Sequence, residues 1–249
     1  MIGVTCEHLT KRFTRTDGTV TPLRDLSLKL APGEITALIG RSGCGKTTLL
    51  RLMAGLEHPD SGTIAFTDEQ GRAVNPKLAV VFQEHRLFPW MNVKENLRVA
   101  IRDLPASEQE KRIAEVLSLI GLSDFALAYP QELSGGMSQR VGFARALVSE
   151  PDILLMDEPF SALDALTRHQ LYREFIDVYL KRPMTVLLIT HDVTEAVLLS
   201  RCIYQLSSEQ HARRYDMTQP YPRHLSTPGV TVLSDTILDS FSQKKETLK

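Results

Sequence analysis

Eight consecutive residues, Gly40-Arg41-Ser42-Gly43-Cys44-Gly45-Lys46-Thr47, carry the densest chemistry in the chain. Their order fits G-x-x-x-x-G-K-[ST], the pattern of a loop that wraps the phosphates of a nucleoside triphosphate. Glycines let successive backbone N–H groups turn inward, and the helix that follows aims its positive end at the same phosphates. Lys46 places a mobile ammonium on the β- and γ-phosphates, Thr47 offers a hydroxyl to Mg²⁺, and Thr48 reaches the α-phosphate. By itself the loop specifies ATP or GTP without choosing between them. Cys44 reads as a small side chain that fits the loop rather than as a redox group. Its place predicts that alkylation of its thiol blocks nucleotide binding.

A second cluster lies downstream, where the apolar run Ile153-Leu154-Leu155-Met156 ends in Asp157-Glu158. Two carboxylates at the exit of a buried strand are costly unless a cation awaits them. Asp157 suits Mg²⁺ held through its water shell, and Glu158 suits a general base that orients and deprotonates an attacking water. Gln83 and His191 each follow an apolar run, at residues 79–82 and 186–190. Both therefore sit at the carboxyl edge of a sheet, where ligands bind in open α/β folds. Asp192 next to His191 is placed to cap a helix and so to fix the histidine's backbone.

The elements that must hold these groups follow from periodicity. Short apolar runs alternating with helical patterns predict an α/β core with parallel strands. Ile35-Thr36-Ala37-Leu38-Ile39 reads as a strand, residues 47–54 as a helix stopped by Gly55, and residues 79–82, 153–156 and 186–190 as further central strands. Residues 89–150 read as a helical subdomain inserted into the sheet domain. Within it Ser107-Glu108-Gln109-Glu110 has the form of a capping box. Ile113, Val116, Leu117 and Ile120 follow at helical spacing, up to the stop at Gly121. After about Leu206 the pattern changes. His211-Ala212-Arg213-Arg214-Tyr215 and several prolines predict a loose, surface-lying tail over residues 207–249, with one short helix at residues 233–241.

Composition sets outer bounds. A chain of 249 residues with 43% hydrophobic and 24% charged residues is an ordinary globular one. Its net charge of −1 gives no general pull toward nucleic acid or anionic lipid. No apolar run approaches the roughly 18–20 residues needed to span a bilayer. The first residues lack a signal-peptide pattern. Three scattered cysteines suggest neither disulfides nor zinc. The expected location is a reducing cytoplasm, with any service to a membrane performed from its surface.

Leu133-Ser134-Gly135-Gly136-Met137-Ser138-Gln139-Arg140 resembles the signature sequence of ATP-binding-cassette (ABC) ATPases. Physically, Ser134 caps a helix whose positions Met137, Val141, Ala144 and Val148 pack inward, leaving glycine N–H groups free as an anion site. The resemblance covers roughly residues 4–206, with the motifs in the family's order. It implies a P-loop NTPase core with a mainly parallel sheet, an N-terminal antiparallel β portion and the inserted helical subdomain. It further implies that Ser134, Gly135, Gly136 and Gln139 face the γ-phosphate held by a second copy, so that two subunits sandwich two nucleotides head to tail. Gln83 resembles the glutamine-loop residue that touches Mg²⁺ and the water, and His191 the switch histidine on the γ-phosphate. Ser161-Ala162-Leu163-Asp164 resembles the loop that reports across the dimer, and Phe13 the aromatic that stacks on adenine. Ser138 departs from the family's usual basic residue at its position, leaving Ser134-Gly135-Gly136 intact.

Phe82-Gln83-Glu84-His85-Arg86-Leu87-Phe88-Pro89-Trp90 and Leu163-Asp164-Ala165-Leu166-Thr167-Arg168 resemble importer subunits for nitrate, sulfonate, taurine and related compounds. The branch implies peripheral attachment to the cytoplasmic face of the inner membrane and transmembrane permease subunits as partners. A solute-binding protein outside the membrane would be an indirect partner, and nucleic acid would not be one. Leu87, Phe88 and Trp90 would lie where a permease docks, or else in the subdomain core. The alternative is a soluble ABC ATPase acting on nucleic acid or ribosomes. It is disfavoured by a single cassette with no heptad run and no basic surplus. A P-loop kinase or GTPase leaves the signature helix unexplained.

Overall fold

The computed structural model describes residues 1–243 apart from 17, 84, 85, 162 and 208–211. Glu84, His85, Ala162 and His211, quoted above, lie outside the described residues. The chain opens with two long strands, β1 (Gly3–Arg15) and β2 (Gly18–Leu30), which pair antiparallel. After β3 (Ile35–Gly40) and α1 (Lys46–Met53), β4 (Ser61–Thr67) returns to the other edge of β1. The resulting three-stranded sheet has the order β2-β1-β4.

The second sheet carries the chemistry. It contains β3, β5 (Leu78–Val81), β6 (Ile153–Asp157), β7 (Thr185–Thr190), β8 (Cys202–Leu206) and β9 (Ala212–Asp216), in the order β5-β6-β7-β3-β8-β9. All neighbours are parallel except β8 and β9. β3 and β7 are buried along their whole length, which explains why they read as continuous apolar runs rather than alternating ones. This is the α/β fold that the sequence predicts. Because β6, β7 and β3 are adjacent, the segments leaving their carboxyl ends converge at one edge.

Between β5 and β6 the described elements are helical: α2 (Val93–Arg98), α3 (Ala106–Leu119) and α4 (Gly135–Leu147), with short 3₁₀ turns. They share a separate apolar cluster that includes Leu97, Ile113, Leu117, Val141 and Val148. The capping box expected at Ser107 does not form. α3 starts two residues earlier than that box would set it, behind Pro105, whose carbonyl takes the Glu108 and Gln109 N–H groups. A capping box does close α2, where Asn92 and Glu95 exchange bonds of 2.8 and 2.9 Å.

The remaining helices are α5 (Ala165–Lys181), α6 (Val193–Leu199) and α7 (Val230–Gln243). They correct the expectation of a loose tail. β9 adds an antiparallel strand to the main sheet, and Tyr215, Met217, Val230 and Ile237 are buried in the same cluster as β3 and β7. Among the described residues no helix is long and apolar enough to cross a membrane.

Candidate functional site

The glycine loop joins β3 to α1, and two of its glycines are dictated by space. A Cβ on Gly40 would come within 2.7 Å of Cys44 Sγ and 2.9 Å of the Leu206 carbonyl oxygen. Gly45 has φ +100°, and a Cβ there would lie 2.2 Å from the Pro22 carbonyl oxygen. Backbone of β2 therefore presses on the loop where α1 begins. Lys46 is only 7% exposed, and its ammonium donates to the carbonyls of Gly40 (2.8 Å) and Arg41 (3.1 Å). Its charge is met by carbonyl dipoles and by Cys44 Sγ at 3.8 Å. Such a cation keeps its demand for an anion. Arg41, Ser42, Gly43 and Thr47 are exposed on the same turn, with Cys44 and Thr48 half-buried.

Two strands away, β6 ends at Asp157. Burial, reinforced by the Glu158 charge, pushes its carboxyl above the usual range, against a hydrogen bond with Thr47 and the charges of Lys46 and Arg51. A carboxylate in that position is stabilised by an added cation. Glu158 has φ +47°, the left-handed region that non-glycine residues avoid at a cost of about 1–2 kcal/mol. Its N–H is tied to the Ile189 carbonyl of β7 at 2.9 Å. The turn aims the carboxylate at His191, whose Nδ1 lies 3.2 Å from Glu158 Oε2.

Gln83 joins this group through Ser161. Its amide donates to Ser161 Oγ (3.3 Å), and the same hydroxyl donates to the Glu158 carbonyl (3.0 Å). Asp164 caps α5, accepting the Leu166 and Thr167 N–H groups at 3.1 Å, and Thr167 holds its carboxyl below the usual range. Asp192 caps α6 as its position predicts.

The signature residues open α4, beside the start of α5. Ser134 caps α4, accepting the Met137 N–H at 3.3 Å. A Cβ on Gly135 would meet open space, whereas one on Gly136 would sit 3.2 Å from the Thr167 methyl, so this glycine lets α5 approach. Gln139 is buried, with Oε1 lacking a hydrogen-bond partner. Among the described residues, no hydrogen bond or ion pair joins residues 134–136 to residues 40–48. Phe13, on β1, is half-buried beneath the Lys11 ammonium, 5.1 Å from its ring centre.

Sequence reasoning passed over Arg168. Its guanidinium donates to the Leu163 carbonyl (2.8 Å) and pairs with Asp192 (3.1 Å), joining the segment before Asp164 to the cap that follows His191. Nothing local marks a bond that spans 24 positions.

The ABC transporter family model matches residues 23–161, more than half of the chain. The chain is 37% identical to the aliphatic sulfonates import ATP-binding protein SsuB of Bacillus subtilis (strain 168), over 98% of this chain and 96% of that protein. It is 44% identical to SsuB 1 of Xanthomonas axonopodis pv. citri (strain 306), over 86% of each. The nitrate import ATP-binding protein NrtC of Synechocystis is 38% identical over 98% of this chain, which spans 38% of that longer protein. Among solved structures, a dimeric ATP-binding cassette in a post-hydrolysis state, bound to ADP and Pi, superposes with a TM-score of 0.74 at 27% identity. That match covers 87% of this chain and all of the other. A family match of that extent, and a relative 37% identical along 96% of its length, show that the chain belongs to the ABC transporter family, as its ATP-binding and ATP-hydrolysing cassette.

Proposed function

We propose that this cassette drives import of a small oxyanion, of the nitrate, sulfonate, taurine or bicarbonate kind, by closing with a second copy of itself over two Mg-ATP molecules. The observation that carries the reading is the convergence of Lys46, Asp157, Glu158 and His191 at three adjacent strand ends. Lys46 would leave the Gly40 and Arg41 carbonyls for the β- and γ-phosphates, with the N–H groups of residues 41–48 around them. Thr47, Asp157 and Gln83 offer a hydroxyl, a carboxylate and an amide oxygen. A single carboxylate among oxygen donors suits Mg²⁺, which keeps waters and phosphate oxygens in its shell. When held there, that ion would supply positive charge to offset the charge that develops on the phosphates during hydrolysis.

Glu158 would take the proton of the attacking water, with His191 turning from Glu158 Oε2 toward the γ-phosphate. Ser134, Gly135, Gly136 and Gln139 of the second copy would close over that phosphate, and Asp164 would sense the closure. Phe13 would stack on adenine. The helical subdomain, about residues 89–150, would meet the permease on the cytoplasmic face of the membrane. Trp90 at 69% and Leu127 at 72% exposure are apolar groups free for such a contact.

Glu158→Gln tests the assignment. The variant should bind ATP yet lose hydrolysis by about 10²–10⁴-fold, the usual share of a general base. It should also run as an ATP-dependent dimer in size-exclusion chromatography with light scattering. Wild-type turnover would remove Glu158 from this role. Adding Ser134→Arg should abolish the dimer while sparing nucleotide binding, and a persisting dimer would refute the sandwich.

A further inference from the structure

A cavity of about 140 Å³ lies between α5, the end of α6 and residues 222–225, and none of its lining residues belongs to the nucleotide site. Besides Tyr172 its polar lining is basic: His169 and Arg173 from α5, Arg223 and His224 from the loop between β9 and α7, with no carboxylate among them. Its floor is apolar, formed in part by Ile176, Leu198 and Leu225. His169, Tyr172, Arg173 and Ile176 share one face of α5 because they are spaced three, four and seven residues apart.

Arg223 gives the cavity its charge problem. Only 7% exposed, it donates through Nε to Gln219 (2.9 Å) and through Nη1 to the Val197 (3.1 Å) and Ser200 carbonyls (2.5 Å). Its Nη2 is buried with no hydrogen-bond partner. The face of the guanidinium lies 4.3 Å from the Tyr221 ring centre. Among the described residues neither Arg223 nor Arg173 has a carboxylate within ion-pair distance. The nearby Glu195 does not serve as one. It bonds instead with Tyr172 (3.4 Å) and Thr190 (3.1 Å), and burial keeps its carboxyl protonated at neutral pH. A buried cation met only by carbonyl dipoles and a ring is costly, and an anion seated beside it relieves that cost.

We infer that this cavity binds a small organic anion, with a sulfonate or carboxylate head at Arg223 and Arg173 and an alkyl or aryl body on Ile176, Leu198 and Leu225. A cavity of this size takes a body of about six heavy atoms, since one of about 150 Å³ admits benzene. The inference does not depend on the solute proposed above. An imported sulfonate and a short carboxylic acid made in the cell present the same chemistry.

Titration calorimetry on the full chain without nucleotide tests it, with 1-propanesulfonate, butyrate and uncharged 1-butanol as probes. At least one anion should bind with a Kd on the order of 1 mM, which is reasonable for so few atoms. The tighter of the two identifies the source. Butanol should bind at least tenfold more weakly. Arg223→Met should abolish binding but also removes three structural hydrogen bonds. Exposed Arg173→Gln therefore provides the companion variant, expected to fold normally and weaken the anion about three- to fivefold. No heat with either anion well above that Kd, equal binding of butanol, or unchanged affinity in Arg173→Gln would each overturn the inference.

Discussion

Arg168→Met separates fold support from site alignment. The wild-type guanidinium donates to the Leu163 carbonyl at 2.8 Å and pairs with Asp192 at 3.1 Å, with both side chains just over a quarter exposed. A hydrogen bond from a charged donor contributes about 1.5–3 kcal/mol, reduced here by solvent, and a half-open ion pair about 0.2–1 kcal/mol. Against these stands the buried Nε, which has no partner and whose removal returns part of the loss. Methionine keeps the apolar stem, so the net cost is about 2 kcal/mol. For a chain of this size that lowers Tm by about 4–8 °C. The same side chain ties Leu163, next to Asp164, to the cap residue next to His191. Without it, among the described residues, those two segments keep only the Glu158 bonds to Ile189 and His191 between them, and their alignment loosens. Steady-state assays should show kcat down about tenfold, equivalent to about 1.4 kcal/mol of lost alignment. KM for ATP should change less than twofold, because Arg168 does not touch the residue 40–48 loop. Arg168→Lys, able to reach only one of the two partners, should fall between. A Tm within about 1 °C of wild type together with an unchanged kcat would refute the reasoning. So would a loss confined to KM.

Glu195 supplies a pH test. Burial raises its carboxyl from 4.5 to about 8, so between those values the folded chain holds a proton that the unfolded chain has released. The stability this group contributes is complete below about pH 4.5 and is lost as pH rises toward 8, with a slope of up to about 1.4 kcal/mol per pH unit. Glu195→Gln removes that slope, so urea denaturation at pH 5, 6.5 and 8 should find the variant gaining on wild type. Parallel pH curves would show that Glu195 is not held protonated. Thiol chemistry gives another prediction. Burial raises the Cys6 thiol to about 12 and the Cys202 thiol to about 11. N-ethylmaleimide should therefore label one thiol per folded chain, Cys44, abolish ATP binding, and be slowed by bound ATP. Mass spectrometry showing two labels, or a labelled chain that binds ATP normally, would contradict the loop's placement.

What was legible in the sequence is what short-range chemistry controls. The central strands are recognisable because parallel strands buried on both faces must be apolar at every position, as β3 and β7 are. Asp192 could be placed as a cap because capping acts within three residues. Ser107 misled for the same reason, since Pro105 had already set the start of α3. In the site, the partners could be named but not their arrangement. The left-handed turn at Glu158 is imposed by its bond to Ile189, and the route from Gln83 to Glu158 passes through a serine hydroxyl 78 positions away. Neither leaves a mark in residue type.

The tail was illegible for a different reason, and the difference matters for the phosphate loop. In β9 only Tyr215 is buried among polar neighbours, a pattern that reads as surface because it describes an edge strand. Its burial depends on β8 lying beside it, and no local pattern encodes that neighbour. α7 carries the readable stripe Val230, Leu233, Ile237 and Phe241, but it packs mainly on α6, within a cluster that reaches the main sheet. Gln205 near the end of β8 donates to Ser240 of α7 at 2.7 Å. The next residue, Leu206, presses its carbonyl against Gly40, while Arg41 donates to the Phe241 carbonyl at 3.4 Å. A loop whose motif looks self-sufficient is thus buttressed on one side by β2, through Pro22 and Gly45. On the other side it rests on the far end of the chain, through β8 and α7. The motif states which groups meet the phosphates, and these long-range supports hold the loop's backbone in place to do so.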